Sequence, residues 1–566
     1  MDKNNMDDGP VVLGINRSRD ASICLMHGAR VLWAIQKARL TRRRHDPGRP
    51  GDVRTLYLPR LPGLERPLDV LVECDGAATH GAAHGAEHGQ DDAGDTLAFA
   101  RGARRARITP HLAQVHAAFH ASPFREAAVL VIGGHGSPVC EAGPPQALAG
   151  TLPAHWRQVA SCYRADRERI ACTGKQLWDG DADRPAGLGM FYFLVTQALF
   201  PGAGNEGKTM DLAPYGDPRA LGLPPLAVDG MGVAIPPAWQ SLLRETARFR
   251  YGAPHASFTD CANLAAAGQR AFEDALLALA RWLHGRTGID RLCLAGGAAM
   301  NSLANGRLLR ESPFRQVFVP PAPGAAGIAL GCALHGLTGL AGCGSEFRWS
   351  HDYLGPAPQL ADIEAALEDA PDLIVEHPRG RDALCARMLD LLCSGRVVGL
   401  YQGRSEYGPR ALGHRSILAD PRRERVRDWI NARVKEREWF RPLAPIVAEE
   451  HAAQYFDVAG ASSFMQFSVP VRSSMMPLLA AVTHVDGSAR LQTVGPSDDP
   501  VLRALLAGFE VRTGVPVLLN TSLGGGHEPL VETPHEAVAA LRRMPLHGLA
   551  MPPYLVIKRH APALPA

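Results

Sequence analysis

The chain has 566 residues, of which 46% are hydrophobic and 21% are charged, and its formal net charge is +3. This length predicts at least two domains, because single hydrophobic cores stop growing at roughly 250–300 residues. The small net charge argues against a bulk nucleic-acid binder, and no apolar run reaches the roughly 18–20 residues of a membrane span, so we expect neither nucleic acid nor a membrane as a partner.

The N-terminus and the cysteines indicate a cytoplasmic protein. The first ten residues, MDKNNMDDGP, are polar and lack the apolar core of a secretory signal. The eleven cysteines are scattered without a CxxC pair. This spacing is typical of reduced, buried thiols and not of a disulfide or zinc framework.

The first part of the chain reads as an α/β domain that opens with a β-meander. Apolar, β-prone runs at residues 11–15, 21–26 and 31–35 are separated by polar turns. Residues 76–97 are rich in glycine and poor in bulky apolar groups, which predicts a flexible insertion. The stretch HLAQVHAAFHASPF then predicts a helix, and EAAVLVIGGHGS predicts a buried strand that ends in a glycine turn.

A strand, a glycine turn and a helix follow one another twice in the middle of the chain. The first copy is RLCLAGG with the helix AAMNSLANGRLLRE, and the second is QVFVPPA with PGAAGIALGCALHGL. This arrangement places backbone amides against phosphate in α/β folds. The ligand-binding candidates here are Gly296, Gly297, Asn301 and Asn305.

A second domain is predicted after a Gly/Pro-rich crossing at residues 339–377. It begins with a helix near Asp382, followed by the strand RVVGLYQG. We therefore place the two domains at residues 1–372 and 380–562.

The stretch GRSEYGPRALGHRSILADPRRERVRDWINARVKEREWFRP, residues 403–442, concentrates arginine beside proline and glycine. Guanidinium groups suit phosphate oxygens, so this stretch predicts contacts with an anion. The anion-binding candidates are Arg404, Arg410, Arg415, Lys435, Arg437 and Arg441. The run Arg422, Arg423, Arg425 and Arg427 is instead expected to be a solvated helix face.

Two further segments place polar groups near the same region. His484, Asp486 and Arg490 lie on THVDGSAR, which predicts a strand and a tight turn. Asn520 and Ser522 follow the apolar run VPVLL, and ligand groups commonly project from strand ends in α/β sheets. A strand-end cap would also explain Asn520 on its own.

These stretches, together with LGINRSRDAS, RLTRRRHD, NEGKTMDLAPYGDP and GGAAMNSLANGRLL, resemble the NodU/CmcH-type carbamoyltransferase family over nearly the whole chain. The resemblance implies an α/β protein with an N-terminal actin-like (duplicated ribonuclease-H-like) domain and a C-terminal YrdC-like domain. It implies that ATP, accompanied by magnesium, and carbamoyl phosphate form carbamoyl adenylate, whose carbamoyl group passes to a small-molecule acceptor of secondary metabolism. A homodimer is compatible with it.

The resemblance also implies residue roles. The implied catalytic residues are Arg404, Arg410, Arg441, His484 and Asp486. The implied substrate- and ATP-binding residues are Arg415, Lys435, Arg437, Arg490, Asn520, Ser522 and Lys208, together with the glycine-turn residues named above.

The family's metal site in the N-terminal domain is not preserved. Two histidines four apart on a helix are replaced by Pro110 and Gln114, with His111 kept between them, and the two aspartate positions are Gly133 and Ala325. Because each lost donor removes much of a site's metal affinity, we predict neither structural nor catalytic iron.

Other residues remain as candidates near this site. Asp20, His111 and His116 are the acceptor-side candidates. A shifted metal site at His116, His120 and His135 is an alternative, since the first two are again four apart on a helix.

Three functions remain open from the residues. The first is a carbamoyltransferase without the metal, whose acceptor is a better nucleophile or is activated by His111 or His116. The second is a homologue that adenylates a different acid for ligation or cyclisation, suggested by Gly524 and Gly526 where the family reads NTSFNVRGEPIV. The third is a non-catalytic pseudoenzyme, which the arginine array disfavours because unopposed like charges repel.

Overall fold

The computed structural model describes residues 9–61, 63, 66–74, 98–138, 153 and 155–560. The predicted insertion at residues 76–97 lies outside these residues. No described helix is both long and apolar enough to cross a membrane.

The elements are mixed α and β along the whole described chain. The strands are β1 (Val11–Asn16), β2 (Ser22–His27), β3 (Arg30–Gln36), β4 (Val70–Cys74), β5 (Arg104–Arg107), β6 (Glu126–Pro138), β7 (Arg157–Asp166), β8 (Ile170–Trp178), β9 (Ala227–Asp229), β10 (Gly232–Ala234), β11 (Arg291–Ala295), β12 (Gln316–Phe318), β13 (Leu373–Glu376), β14 (Val398–Tyr401), β15 (Arg415–Ala419), β16 (Ala444–Ala448), β17 (Ser468–Pro470), β18 (Ser488–Arg490), β19 (Gln492–Val494), β20 (Val517–Ser522), β21 (Gly548–Met551) and β22 (Tyr554–Lys558). The helices are α1 (Lys37–Thr41), α2 (Pro110–His120), α3 (Leu188–Leu199), α4 (Glu206–Leu212), α5 (Pro237–Arg244), α6 (Thr246–Phe249), α7 (Phe258–Thr287), α8 (Ser302–Glu311), α9 (Ile328–His335), α10 (Leu360–Glu368), α11 (Arg381–Cys393), α12 (Glu424–Trp429), α13 (Glu449–Tyr455), α14 (Pro500–Thr513) and α15 (Pro534–Arg543).

Two five-stranded sheets in the first part of the chain share one topology. Their orders are β3-β2-β1-β4-β5 and β8-β7-β6-β11-β12. In each, the first three strands in sequence pair antiparallel, and the last two run parallel to the first strand. The opening β-meander is therefore confirmed, and the same meander recurs about 115 residues later at β6.

The third sheet takes its eight strands from residues 373–558, in the order β13-β22-β21-β14-β15-β20-β16-β19. Apolar side chains of this sheet and of α11, α14 and α15 form one buried core. Local signals set the helix ends, since Asp499 caps the start of α14 by accepting from the Leu502 amide at 2.8 Å, and Gly514 ends it with a φ of +75°.

One sequence prediction about a strand end was wrong, and a second was right for one of its two residues. The glycine-rich residues 133–136 do not form a terminal turn, because β6 continues to Pro138 with a register shift between Ile132 and Ser137. Ser522 is the last residue of β20, as expected, whereas Asn520 lies within the strand, paired with Leu418 of β15.

Two aromatic side chains hold the arginine-rich segment between the sheets. Tyr407 is 1% exposed and joins the core of the first sheet, where its hydroxyl donates to the Ala326 carbonyl. Phe440 is also 1% exposed and joins the core of the second sheet. Residues 407–440 therefore belong in sequence to the third sheet but pack against both of the others.

Candidate functional site

The loop between β14 and β15 is built around one buried carboxylate. Glu406 Oε1 accepts hydrogen bonds from the backbone amides of Leu412 at 2.7 Å, His414 at 2.9 Å and Arg415 at 3.2 Å. Such a set of amide donors fixes the loop without help from regular structure. Arg410 lies within this loop.

The segment after α12 is fixed by an asparagine. The Asn431 side-chain amide donates to the carbonyls of Trp439 at 3.2 Å and Arg441 at 2.8 Å, and its oxygen accepts from Arg437 Nε at 2.8 Å. These bonds fold residues 431–441 into a compact turn with Phe440 on its apolar side. Arg437 and Arg441 are thereby held on one short stretch of chain.

Four guanidinium groups, Arg410, Arg437, Arg441 and Arg490, form what we call the arginine cluster. Burial lowers the pKa of Arg410 and of Arg437 to about 9, and lowers the pKa of Arg490, with neighbouring members of the cluster adding to the effect. The Asp211 carboxylate acts in the opposite sense on all three. The cluster therefore concentrates positive charge in a region where water solvates it poorly.

Most of the donors in the cluster are not used by the protein. Arg437 also donates from Nη2 to the Pro442 carbonyl at 3.2 Å, and Arg441 Nε lies 2.5 Å from Asp211 Oδ2. Within the described chain, the guanidinium groups of Arg410 and Arg490 have no hydrogen-bond partner, and Nε of Arg490 is buried. Since a guanidinium carries five N–H donors, this arrangement is suited to an anion with several oxygens.

Arg404 and Arg415 are not brought to the cluster. Arg404 donates to the carbonyls of Gly355 at 2.8 Å and of Leu32 and Leu354 at 2.7 Å. Arg415 is fully buried, stacks 3.9 Å from the Tyr401 ring centre and donates to backbone carbonyls, including that of Gln402 at 2.7 Å. Both guanidinium groups hold loops together, because backbone carbonyls already accept their hydrogen bonds.

Lys435 contacts the glycine loop and not the cluster. Its ammonium donates to Ser522 Oγ at 2.8 Å, to the Gly524 carbonyl at 2.7 Å and to the Ser522 carbonyl. A Cβ added at Gly526 would lie 2.1 Å from the Lys435 carbonyl oxygen, so the loop needs glycine there for close backbone approach. Lys435 and Ser522 therefore fix this loop.

The remaining C-terminal candidates have mixed positions. His484 is buried, its Nε2 lies 3.3 Å from the Phe440 carbonyl oxygen, and its Nδ1 lies 3.7 Å from Asp486 Oδ1. Asp486 is exposed and accepts from the Ser488 amide at 3.0 Å, closing the turn before β18. Asn520 is 1% exposed and donates to Gln492 Oε1 at 2.7 Å, so it does not project from the sheet as expected.

The candidates of the strand-turn-helix unit form a structural network. Asn301 caps α8 and exchanges two 3.0 Å hydrogen bonds with Gln269. Asn305 is fully buried and donates to the carbonyls of Ala299 and Gln466. The Gly296 amide donates to the Pro323 carbonyl, while Gly297 is exposed.

Lys208 lies closer to the cluster than the strand-turn-helix unit does. Its Nζ is 2.7 Å from Glu438 Oε1, within the turn that carries Arg437 and Arg441. This ion pair joins α4 to the C-terminal segment.

The acceptor-side histidines are both buried. His111 Nδ1 lies 2.8 Å from Ser161 Oγ and 3.1 Å from Gln158 Nε2, and burial lowers the pKa of His111 to about 3. His116 Nε2 lies 3.0 Å from Nδ1 of His335 on α9, and burial lowers its pKa well below the ordinary value. Both imidazoles are therefore neutral core groups near neutral pH.

Asp20 has a partner that sequence reasoning did not pair with it. Its Oδ1 lies 2.7 Å from His45 Nδ1, and both side chains are partly exposed. Next to His45 in the chain, Arg44 donates to the Glu528 carbonyl, and Arg42 donates to the carbonyls of Pro529 and Leu530. The Asp20–His45 pair thus lies where the N-terminal segment meets the loop after β20.

Three functional residues were missed from the sequence. Asp211 and His335 reach their partners across 230 and 219 residues of sequence, whereas Glu406 accepts from amides only six to nine residues away. Asp211 carried a local signal, since it stands between the apolar residues Met210 and Leu212 in a short helix.

Comparisons with known proteins bear on this arrangement. The family model described as the carbamoyltransferase C-terminus matches residues 389–558, and the model of the carbamoyltransferase N-terminus matches residues 239–334. Nodulation protein NolO of Bradyrhizobium diazoefficiens is 39% identical over 390 residues, covering 66% of this chain and 69% of NolO. The chain belongs to the carbamoyltransferase family. This confirms the resemblance seen in the sequence and the expectation of a transferase enzyme.

In two further comparisons, the other protein is covered over a smaller share of its own length. Nodulation protein NolNO of Sinorhizobium fredii is 41% identical over 389 residues, covering 66% of this chain and 56% of NolNO, so the chain spans little more than half of that relative. The crystal structure of T. kodakarensis HypF aligns over 60% of this chain and 49% of its own, with 11% identity and a TM-score of 0.34. At this identity and TM-score, the alignment supports no conclusion about the fold or function of this chain.

The residues at the carbamoyltransferase metal position do not fit iron. Gln114 has a buried Oε1 without a partner, and a Cβ at Gly133 would meet His111 Nε2 at 3.2 Å. In the described part of the chain, no three His, Cys, Asp or Glu side chains converge to hold a metal ion. In the shifted alternative, His116 is bonded to His335, and the side chain of His135 lies outside the described residues.

Proposed function

We propose that this chain is an ATP-dependent carbamoyltransferase of secondary metabolism that forms carbamoyl adenylate at the arginine cluster and passes the carbamoyl group to a small-molecule acceptor without iron. The observation that supports this most directly is the pair Arg410 and Arg490. Their guanidinium groups lie in a poorly solvated cluster and, among the described residues, have no hydrogen-bond partner. A protein retains such groups at a cost in stability, which anion binding offsets.

The cluster can serve each bond change of the proposed reaction. Water attacks the phosphorus of carbamoyl phosphate, the bond from the carbamoyl oxygen to phosphorus breaks, and carbamate and phosphate form. The carbamate oxygen then bonds to the α-phosphorus of ATP, and pyrophosphate leaves with its charge stabilised by the guanidinium groups. An acceptor nucleophile finally attacks the carbamoyl carbon, and AMP departs. Magnesium would accompany the nucleotide.

The topology supports the architecture behind this proposal. The repeated order of the first two sheets agrees with a duplicated ribonuclease-H-like, actin-like unit in residues 1–372. The separate eight-stranded sheet agrees with a YrdC-like unit in residues 380–562, although β13 begins earlier, at Leu373. In this architecture, the arginine cluster lies where the two units meet, next to helix α4.

For the acceptor side, Asp20 is a better candidate than His111 or His116. The two histidines are buried and bonded to core partners. Asp20 is partly exposed and orients the His45 imidazole at 2.7 Å. An oriented, accessible imidazole is suited to accept a proton from a nucleophile.

A pyrophosphate assay tests the proposed donor chemistry. We expect pyrophosphate release from ATP that depends on carbamoyl phosphate, and a loss of at least about a hundredfold in Arg410→Met, since one transition-state contact to an anion contributes roughly 3–4 kcal/mol. The matched control is Arg422→Met, because Arg422 lies in the same stretch but pairs with Asp420 at 2.8 Å. Release that ignores carbamoyl phosphate would contradict the proposal.

The glycine loop supports a second candidate function, adenylation of a different acid. Residues Gly524–Gly526 have no side chains that could contact carbamoyl phosphate, and the Lys435 ammonium donates a hydrogen bond to the Gly524 carbonyl. Pyrophosphate release with another carboxylic acid, and none with carbamoyl phosphate, would favour it. No release, together with no nucleotide-dependent rise in melting temperature, would favour a pseudoenzyme.

A further inference from the structure

The arginine cluster contains a carboxylate of the protein itself. Asp211 lies on α4, is 6% exposed, and places Oδ2 2.5 Å from Arg441 Nε. Its negative charge also acts on Arg410, Arg437 and Arg490. Asp211 thus acts on all four guanidinium groups, and a second carboxylate, Glu438, lies 3.9 Å from Arg441 Nη1.

The Asp211 carboxylate has few hydrogen-bonding partners for a buried ion. Within the described residues, no donor forms a hydrogen bond to Asp211 beyond its ion pair with Arg441. A carboxylate has two oxygens with about four acceptor positions, so most of them are unused. A phosphate offers more oxygens and more charge, and bidentate contacts to guanidinium are stronger than a single ion pair.

We propose that Asp211 occupies the arginine cluster as an internal anion and that a phosphate group enters the cluster by displacing it from Arg441. The proposal rests on the proposed function in so far as that phosphate belongs to the donor or the nucleotide. Asp211 then sets the affinity of the site, because each phosphate must exchange with a carboxylate that is already bound. Anions with a single charge compete poorly with the Asp211 carboxylate for Arg441. Asp211 is therefore a specificity-determining residue that favours phosphate over such anions.

Displacement also links the two units of the molecule. Helix α4 contacts the C-terminal turn through Asp211–Arg441 and through Lys208–Glu438 at 2.7 Å. Loss of the first contact leaves the Lys208–Glu438 ion pair between α4 and this turn, while Thr209 of α4 keeps its 3.0 Å hydrogen bond to Thr196 of α3. Phosphate binding is therefore expected to loosen α4, and by reciprocity a loosened α4 favours phosphate.

Binding of inorganic phosphate, measured by calorimetry, tests the exchange. We expect Asp211→Asn to bind phosphate at least about tenfold more tightly than the unaltered protein, since close charge pairs are coupled by roughly 1.5 kcal/mol or more. Asp428→Asn is the matched control, because it removes the same charge from an exposed carboxylate that pairs with Arg427 at 3.0 Å. Its phosphate affinity should change by less than about twofold. Equal or weaker binding by Asp211→Asn overturns the proposal.

Hydrogen exchange on the unaltered protein gives a second readout that does not depend on the variant folding. Saturating phosphate should speed amide exchange in the peptide that covers residues 206–212. Unchanged or slower exchange there, with phosphate bound, would show that the anion joins the cluster without displacing Asp211. That result leaves the proposed function intact, whereas the pyrophosphate assay can fail even when this exchange is observed.

Discussion

Removal of a binding-site arginine should make the unliganded protein more stable. Burial lowers the pKa of Arg410 to about 9. The lowering of this pKa from the ordinary guanidinium value corresponds to about 5 kcal/mol of unfavourable free energy for the charged form at neutral pH. Because Arg410 remains partly exposed, solvent reduces this cost. We expect Arg410→Met to raise the free energy of unfolding by about 1–4 kcal/mol, as in other replacements of buried charge by apolar groups.

The sign follows from the direction of the pKa change. A guanidinium whose pKa is lowered on folding opposes the folded state at every pH below its folded value, so the gain is complete at pH 7. Urea unfolding without anions measures it. The control Arg422→Met should instead lose stability, because Arg422 is the ion-pair partner of Asp420, which is 1% exposed.

Added phosphate provides the complementary half of the assay. Ligand at a hundred times its dissociation constant stabilises by about 2.7 kcal/mol. Phosphate should therefore raise the melting temperature of the unaltered protein and of Arg422→Met, but not that of Arg410→Met. The reasoning is refuted if Arg410→Met is destabilised as much as Arg422→Met and still responds to phosphate.

Three further predictions concern the N-terminal part. Because burial holds the pKa of His111 at about 3, the contribution of neutral His111 to the free energy of unfolding is complete above pH 6.5 and falls as the pH drops below it. Between neutral pH and pH 5.5, the free energy of unfolding of His111→Gln in urea titrations should therefore fall by about 1.4 kcal/mol less than that of the unaltered protein. Equal falls in the two proteins would contradict this. Gly306→Ala should lower the free energy of unfolding by about 1–3 kcal/mol, because the added Cβ would lie 2.0 Å from the Ser468 carbonyl oxygen. In the control Gly285→Ala the added Cβ meets open space, so the free energy of unfolding should stay unchanged or rise by up to about 1 kcal/mol. Metal analysis of protein purified without chelators should find well below one iron per chain, and one equivalent would refute the missing-ligand argument.

Local patterns predicted the secondary structure well. The meander β1–β3, helix α2 and the strands β11 and β14 lie where alternating or periodic apolar residues place them. The glycine turn after β6 failed because pairing with β7 carries the strand through those glycines. Tertiary pairing there overrides a local turn preference.

The site was only partly predictable. Arg410, Arg437, Arg441 and Arg490 were chosen for their residue type and do converge. Arg404 and Arg415 have the same type and similar neighbours in sequence, yet backbone carbonyls accept their hydrogen bonds. Sequence cannot separate the two groups, because the chain path sets which carbonyls reach each guanidinium: those of the neighbouring Gln402 and Gly403 for Arg415, but the distant Leu32 and Gly355 for Arg404.

By itself, the sequence determined the family and the mixed α/β class. These depend on which residues are present and in what order. Only the tertiary structure decided which arginine side chains lack a protein acceptor within the described part of the chain and that Asp211 lies among them. The physical reason is that a charged group's role depends on its solvation and on its nearest opposite charge, and folding sets both by joining distant segments.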